Sequence, residues 1–264
     1  MSTLKSINSK TVVFITGAFV THNGWNPWKT YFEAQGYTTH NPSWPHKEGS
    51  PQELRALHPT KNTKLATLTL SELIDHYAAF VKALPEKPIL VGHSLGGLIT
   101  QVLVNRGLAA AGVLVHPFPP LGIIPYEFSF LKSAWKVLGI FTSLKKTYLM
   151  SLNDWQYAFT NGMSLSEQQK SYEENTIPES KTVARGALTS AAKVDFKKPH
   201  APILFITGST DNILPASLSY RNFKKYSDKN SITDYKLFEG KNHFVVGLPS
   251  WREEADYILN WLKN

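Results

Sequence analysis

The segment Gly92-His93-Ser94-Leu95-Gly96-Gly97 holds the residue types a nucleophilic serine needs, at the spacing a tight turn needs. It follows the apolar run Ile89-Leu90-Val91 and leads into a helical pattern from Leu95 to Asn105, with Gly107 beyond it. A serine on so sharp a strand-to-helix turn presents its hydroxyl outward from the sheet edge. Side chains at 92 and 96 would collide with the neighbouring strand and helix, so glycine is required at both. The helix that begins at Leu95 aims free N–H groups and the positive end of its dipole at the reacting centre. A bare G-x-S-x-G arises by chance in about one chain in ten of this length, given glycine and serine usage of about 7%. Its place between an apolar strand and a helix is what gives the match weight.

A serine hydroxyl is a poor nucleophile until a base takes its proton, and the base needs an acid to orient it. Asp211 lies in Gly208-Ser209-Thr210-Asp211-Asn212, just after the apolar run 203–206. His243 lies in Gly240-Lys241-Asn242-His243-Phe244, just after the alternating run 232–238. Taken singly, Asp211 reads as a turn former or helix cap, and His243 as a surface or core histidine. Taken together, Ser94, Asp211 and His243 each stand at the C-terminal end of a strand, where α/β sheets place their sites. That joint placement points to acyl transfer. His93 and His116 also stand at strand ends but have no acid close by in sequence. His22, His40, His46, His58, His76 and His200 read as loop or helix-surface residues. No H-E-x-x-H is present, so a zinc protease has no support, and the chemistry requires neither metal nor organic cofactor.

The elements that must position these residues alternate. Val12-Val13-Phe14-Ile15 reads as a buried strand ending in Thr16-Gly17, and Tyr37 to His40 as a weaker one. Thr69 and Glu72 have the spacing of a capping box, followed at helical spacing by Leu70, Leu73, Ile74, Tyr77, Phe80 and Val81. Gly112 to Val115 is a further strand, and Ser250 with Glu253 a second capping box for a closing helix. About six strands, apolar on both faces and alternating with helices, predict a mostly parallel sheet covered on both sides. From 118 to 199 the pattern loses its strands and becomes helical and aromatic, which reads as a cap inserted into a core made of 1–117 and 200–264. The stretch 41–64 reads as one long loop.

Composition excludes several classes. Twenty-eight lysines and arginines against 20 aspartates and glutamates give 28 − 20 = +8, yet in the C-terminal third the two signs are interleaved. No nucleic-acid-binding motif accompanies them, so no nucleic-acid partner is expected. Zero cysteines exclude disulfides and thiol catalysis. No apolar run approaches the roughly 20 residues of a membrane span. The segment 1–10 is polar and lacks the apolar region of a secretory signal, which predicts a cytoplasmic location.

With these motifs in view, the chain resembles the α/β-hydrolase fold family, and within it the carboxylesterase- and lipase-like serine hydrolases with a helical cap. The likeness is carried by Gly92 to Gly97, by Gly208-Ser209-Thr210-Asp211 with Pro215 after it, and by Gly240-Lys241-Asn242-His243. It implies Ser94 as nucleophile, His243 as base and Asp211 as its orienting acid. Where the family usually reads His-Gly after its first core strand, this chain has Thr16-Gly17-Ala18-Phe19, with Trp25 following. The resemblance carries the oxyanion donors onto the backbone N–H groups of Ala18 and Leu95, with Phe19 as a further candidate. Phe19, Trp25, Phe118, Trp155, Phe159 and Phe244 are the candidates for a substrate pocket. The expected substrate is a small hydrophobic ester or lactone. A non-hydrolytic use of the fold stays open as the alternative, either a cofactor-free dioxygenase or a ligand-binding, receptor-like protein. Such dioxygenases place their acid after an earlier strand, whereas the loop His116-Pro117-Phe118-Pro119-Pro120 offers none.

Overall fold

The computed structural model describes residues 7–139 and 141–263. Strand β1 (Thr11–Ile15), helix α1 (Asn26–Glu33) and strand β2 (Thr38–His40) come first. Helices α2 (Pro51–Ala56), α3 (Thr63–Thr67) and α4 (Leu70–Lys82) lead to β3 (Ile89–His93), α5 (Leu95–Asn105) and β4 (Ala111–Val115). Four helices then precede the next strand: α6 (Phe128–Leu138), α7 (Leu152–Ala158), α8 (Leu165–Asn175) and α9 (Lys181–Gly186). Strand β5 (Ile203–Gly208), α10 (Ala216–Phe223), β6 (Thr233–Phe238) and α11 (Arg252–Lys263) complete the described chain. The six strands form one parallel sheet in the order β2-β1-β3-β4-β5-β6, as the apolar runs predict.

Successive residues of a strand point to opposite faces, so each central strand must bury two sets of side chains. Val13, Ile15, Leu90, Leu114 and Phe205 pack under α4 and α5 through Leu73, Ile74, Leu98 and Val102. Val12, Phe14, Val91, Val113 and Ile206 face the other way, against Trp28 and Phe32 of α1 and Ile258 and Leu262 of α11. Full burial of such side chains contributes roughly 1.5–3 kcal/mol each. Strand β6, at the edge, is only partly covered. Because the chain runs from β1 out to β2 and then returns to β3, the strand order reverses between β1 and β3. The loops after these two strands diverge there and open a crevice at the carboxyl edge of the sheet.

Two local expectations are corrected. The stretch 41–64 is not a plain loop. It contains α2, opened by a Ser50–Glu53 capping box with Pro51 in the first turn, and the start of α3, capped by Asn62. The Thr69–Glu72 capping box forms as the spacing predicts. The one expected at Ser250 and Glu253 does not: the Glu253 N–H donates to the Ser250 carbonyl. The Ser250 hydroxyl instead accepts from Lys241 Nζ at 2.6 Å, and the Glu253 carboxylate pairs with the same ammonium at 2.8 Å. A nearby lysine outcompetes a backbone N–H for both groups because it offers a full charge. No helix of the described residues is long and apolar enough to cross a membrane.

Candidate active site

Strand β3 delivers Ser94 to the carboxyl edge with φ 58° and ψ −121°, a strained conformation for any residue with a side chain. Its N–H donates to the Val115 carbonyl at 3.0 Å, which ties the turn to the end of β4. The turn closes only because its flanks are bare. A Cβ at Gly92 would lie 2.2 Å from the Gly96 carbonyl oxygen, and one at Gly96 would lie 2.1 Å from the Ile15 carbonyl oxygen.

The Ser94 hydroxyl is 3.0 Å from Nε2 of His243, and His243 Nδ1 is 2.7 Å from Oδ2 of Asp211. Three residues spread over 149 positions of chain thus meet at one sheet edge, each nearly or fully buried. Oδ1 of Asp211 accepts the backbone N–H groups of Ile213 (2.8 Å) and Leu214 (2.7 Å) in the turn before α10. Burial alone would raise the pKa of Asp211, but the charge of His243 and the hydrogen bonds of His116 and His243 hold it well below the usual carboxylate range. An ionised Asp211 accepts the His243 Nδ1–H, which leaves the Nε2 lone pair facing Ser94. The imidazole is fixed by its surroundings: the Phe159 ring stands edge-on at 4.8 Å, and the Phe244 N–H donates to the Phe159 carbonyl at 3.0 Å.

Two further histidines complete the cluster. His93 Nε2–H donates to the His243 carbonyl at 3.0 Å. Burial, reinforced by the charges of His243 and His116, pushes His93 well below the ordinary histidine value, so it is neutral. His116 donates Nδ1–H to Asp211 Oδ2 at 2.8 Å, and Glu254 of α11 lies 3.7 Å from its other nitrogen. His116, Asp211 and His243 also bring three ligand-type atoms within 4.8 Å of one another. Both ring N–H groups are directed at one carboxylate oxygen, a hydrogen-bonded arrangement rather than three lone pairs converging on a cation.

The loop after β1 faces Ser94 across the crevice. Ala18 and Leu95 border the same cavity as Ser94, and Leu95 opens α5, where an N–H has no intrahelical acceptor. Phe19 is different. Its N–H donates to the Glu179 carboxylate at 3.0 Å, so the expectation that it could serve as a further oxyanion donor is corrected. The same carboxylate oxygen is paired with the buried ammonium of Lys47, which lies 3.6 Å from the centre of the Trp44 ring. Trp44 Nε1 in turn donates to the Thr16 carbonyl at 3.0 Å.

Beside Ser94 opens a cavity of about 430 Å³. Among the described residues, Phe19, Phe118 and Phe159 line it, together with Ala134 and Val137 of α6 and Ala184 of α9, and no charged residue does. Trp25, Trp155 and Phe244 do not line it. Trp25 stacks on Phe14 in the core and borders a separate small void. Trp155 is fully buried, stacked on Phe159 and bonded through Nε1 to Ser171. Phe244 backs onto Trp155 and borders that same void. Trp155 thus supports the lining residue Phe159 from behind and Phe244 supports Trp155, whereas Trp25 belongs to the core. The residues missed in the sequence are His116, Glu254, Glu179 and Lys47. The strand-end position of His116 was a visible signal, but its partner stands 95 positions away. For Glu179 and Lys47 the sequence carried none.

Comparison with known proteins agrees with this fold. No curated protein matches by sequence. Among solved structures, a monoacylglycerol lipase from Paleococcus ferrophilus is similar with TM-score 0.68 and 21% identity, over 96% of this chain and 93% of that one. An extracellular alpha/beta-hydrolase from a Paenibacillus species has TM-score 0.68 and 17% identity, over 95% and 98%. A methylesterase from Arabidopsis has TM-score 0.66 and 14% identity, over 96% and 98%. At these identities the likeness is one of fold. A model of the Alpha/beta hydrolase family matches residues 12–255, from the first core strand into the last helix. The chain belongs to the alpha/beta hydrolase family.

Proposed function

We propose that this protein is a serine hydrolase that cleaves neutral carboxylic esters or lactones with a hydrophobic acyl or alcohol group, through an acyl-enzyme on Ser94. The observation that carries the reading is the unbroken line of contacts from Ser94 through His243 to Asp211, at 3.0 and 2.7 Å. Ser94 attacks the carbonyl carbon while His243 Nε2 takes its proton, and Asp211 holds the imidazole in the tautomer that can accept it. The N–H groups of Ala18 and Leu95 receive the tetrahedral oxyanion, each such donor typically worth about 3 kcal/mol of barrier. His243 then protonates the leaving alcohol. Water, deprotonated by the same imidazole, releases the acid.

The substrate class follows from the uncharged lining of the cavity, which favours apolar groups and rejects buried charge. The four helices between β4 and β5 act as a cap, the segment 118–199 closing over the core of 1–117 and 200–264. Several structures of the same fold belong to ester-cleaving enzymes by name, a methylesterase and a monoacylglycerol lipase among them, which supports the reading. The test is turnover of a panel of chromogenic esters and lactones by the wild type and by Ser94→Ala. Hydrolysis by the wild type and none above background by the variant is expected. Wild-type rates in Ser94→Ala would overturn the nucleophile. Binding without turnover across the panel would favour the non-hydrolytic alternative.

A further inference from the structure

Asp211 is held by more groups than orienting a base requires. Its Oδ1 takes two backbone N–H groups, and its Oδ2 takes two imidazoles, one from His243 and one from His116. We propose that His116 and Glu254 are positioning residues for the reaction: a buried imidazolium at His116, balanced by Glu254, aims Asp211 Oδ2 at His243. The kinetic part of this inference rests on the acyl-transfer reading above; the charge state of His116 does not.

Three structural features show that the His116 ring is held in place at some expense. His116 adopts φ +46°, in the left-handed region, at a position immediately before Pro117, where an extended backbone is favoured. Gly208, at the end of β5, leaves room for the ring: a Cβ there would lie 2.5 Å from His116 Cε1. The ring and the Glu254 side chain are wholly buried, and neither Glu254 oxygen nor His116 Nε2 has a hydrogen-bond partner among the described residues.

The protonation state follows from who faces whom. His116 Nδ1 must carry a proton to bond Asp211, because an ionised carboxylate can only accept. If Nε2 were bare, its lone pair would face the Glu254 carboxylate 3.7 Å away, acceptor against acceptor. A proton on Nε2 turns that repulsion into an ion pair in a site without water to screen it. Four ionisable side chains face the ring: Asp211 from the loop after β5, Glu254 from α11, His243 from the loop after β6 and His93 from β3. Burial by itself lowers His116, but its hydrogen bond to Asp211 and the negative charges of Glu254 and Asp211 outweigh it and lift the group to about 9. The electrostatic consequence favours the reaction. Asp211, His116 and Glu254 sum to −1 + 1 − 1 = −1, the charge of a lone aspartate, so the imidazolium that forms on His243 keeps its counter-charge while Oδ2 gains a second anchor.

Side-chain ¹⁵N–¹H spectra of the wild type at about pH 8, where an ordinary histidine is neutral, read the charge directly. Both ring nitrogens of His116 should be protonated. A neutral ring, or a proton held by Glu254 instead, overturns the inference. Kinetically, His116→Ala should lower kcat about tenfold or more with KM changed by less than about twofold, the pattern of an interaction realised in the transition state. The double variant His116→Asn with Glu254→Gln offers an amide donor to Asp211 and leaves no orphan charge. It should recover kcat to within about threefold of wild type. Wild-type kcat in His116→Ala, or a double variant no better than the single one, overturns the positioning role. Should His116→Ala fail to fold, the double variant and the wild-type spectra decide. Ser94→Ala run in parallel separates the two readings: turnover there sinks acyl transfer, whereas a serine-dependent enzyme with a neutral His116 sinks only this inference.

Discussion

The backbone N–H of Phe19 donates to the side chain of Glu179, 160 positions further along the chain, at 3.0 Å. One bond thereby joins the loop after the first strand to the helical insertion, and Glu179 is itself neutralised by Lys47 from the segment between β2 and α2. Charge balance matters at this spot. On the proposed mechanism, a bare carboxylate behind the loop after β1 would oppose the negative charge that forms in front of it, and the buried ammonium cancels that field.

Glu179→Ala should therefore be costly out of proportion to one hydrogen bond. It frees the Phe19 N–H and strands the fully buried Lys47 without a counter-charge. The expected loss is about 3–5 kcal/mol of stability, the range for breaking a buried pair from one side. Guanidinium unfolding of the variant measures it, and Lys47→Met with Glu179→Gln should lose less than Glu179→Ala. A loss below about 1 kcal/mol, the worth of a surface pair, would contradict this account.

Stability should fall as pH rises from about 6.5 to about 9. His116 is raised from 6.5 to about 9 in the folded state. Below the lower value both folded and unfolded chains hold the proton, and the stabilisation is fully present. Between the two values only the folded chain holds it, so unfolding releases a proton and each step upward in pH favours the unfolded state. Asp211 acts with the opposite sign. Its folded-state value is depressed, so its contribution is present above the ordinary carboxylate range and is lost as the solution becomes more acidic. Denaturation midpoints across this range should slope downward on the alkaline side, and less steeply in Glu254→Gln. A level midpoint between pH 6.5 and 9 would contradict the charged His116.

Chain length is the third lever. Burying one methylene is worth about 0.8 kcal/mol, so kcat/KM should rise up to about fourfold per added carbon of the apolar group. The rise should stop once the cavity of about 430 Å³ is full. Ala134→Trp, which places a large ring in that lining, should bring the plateau to shorter esters and leave acetate esters little affected. Unchanged length dependence in this variant would show that the apolar group binds elsewhere.

Much of this arrangement was legible in the sequence because its causes are local. A strand buried on both faces must read as a continuous apolar run, a half-covered edge strand such as β6 as an alternating one, and a serine on a tight turn must be flanked by glycine; hence these strands and the turn at Ser94 could be read without coordinates. Ser94, Asp211 and His243 stood out together because each follows a strand end. The Ser50–Glu53 capping box had the same spacing as the one at Thr69 and was overlooked within an apparent loop. Ser250 and Glu253 had the spacing too, but Lys241 intercepts them.

Periodicity and turn chemistry by themselves determined the sheet, its order of helices and strands, and the serine turn. The packed structure alone decided which groups share a hydrogen bond across the crevice. His116 meets Asp211 only because β4 and β5 are neighbours with Val115 in register with Ile206, and Phe159 lines the cavity while Trp155 stands behind it only because of how their helix seats on the loop after β1. A pattern along the chain reports which face of an element is apolar. It does not report which distant element that face will meet, because partners are chosen by the shape and charge of the whole assembled core.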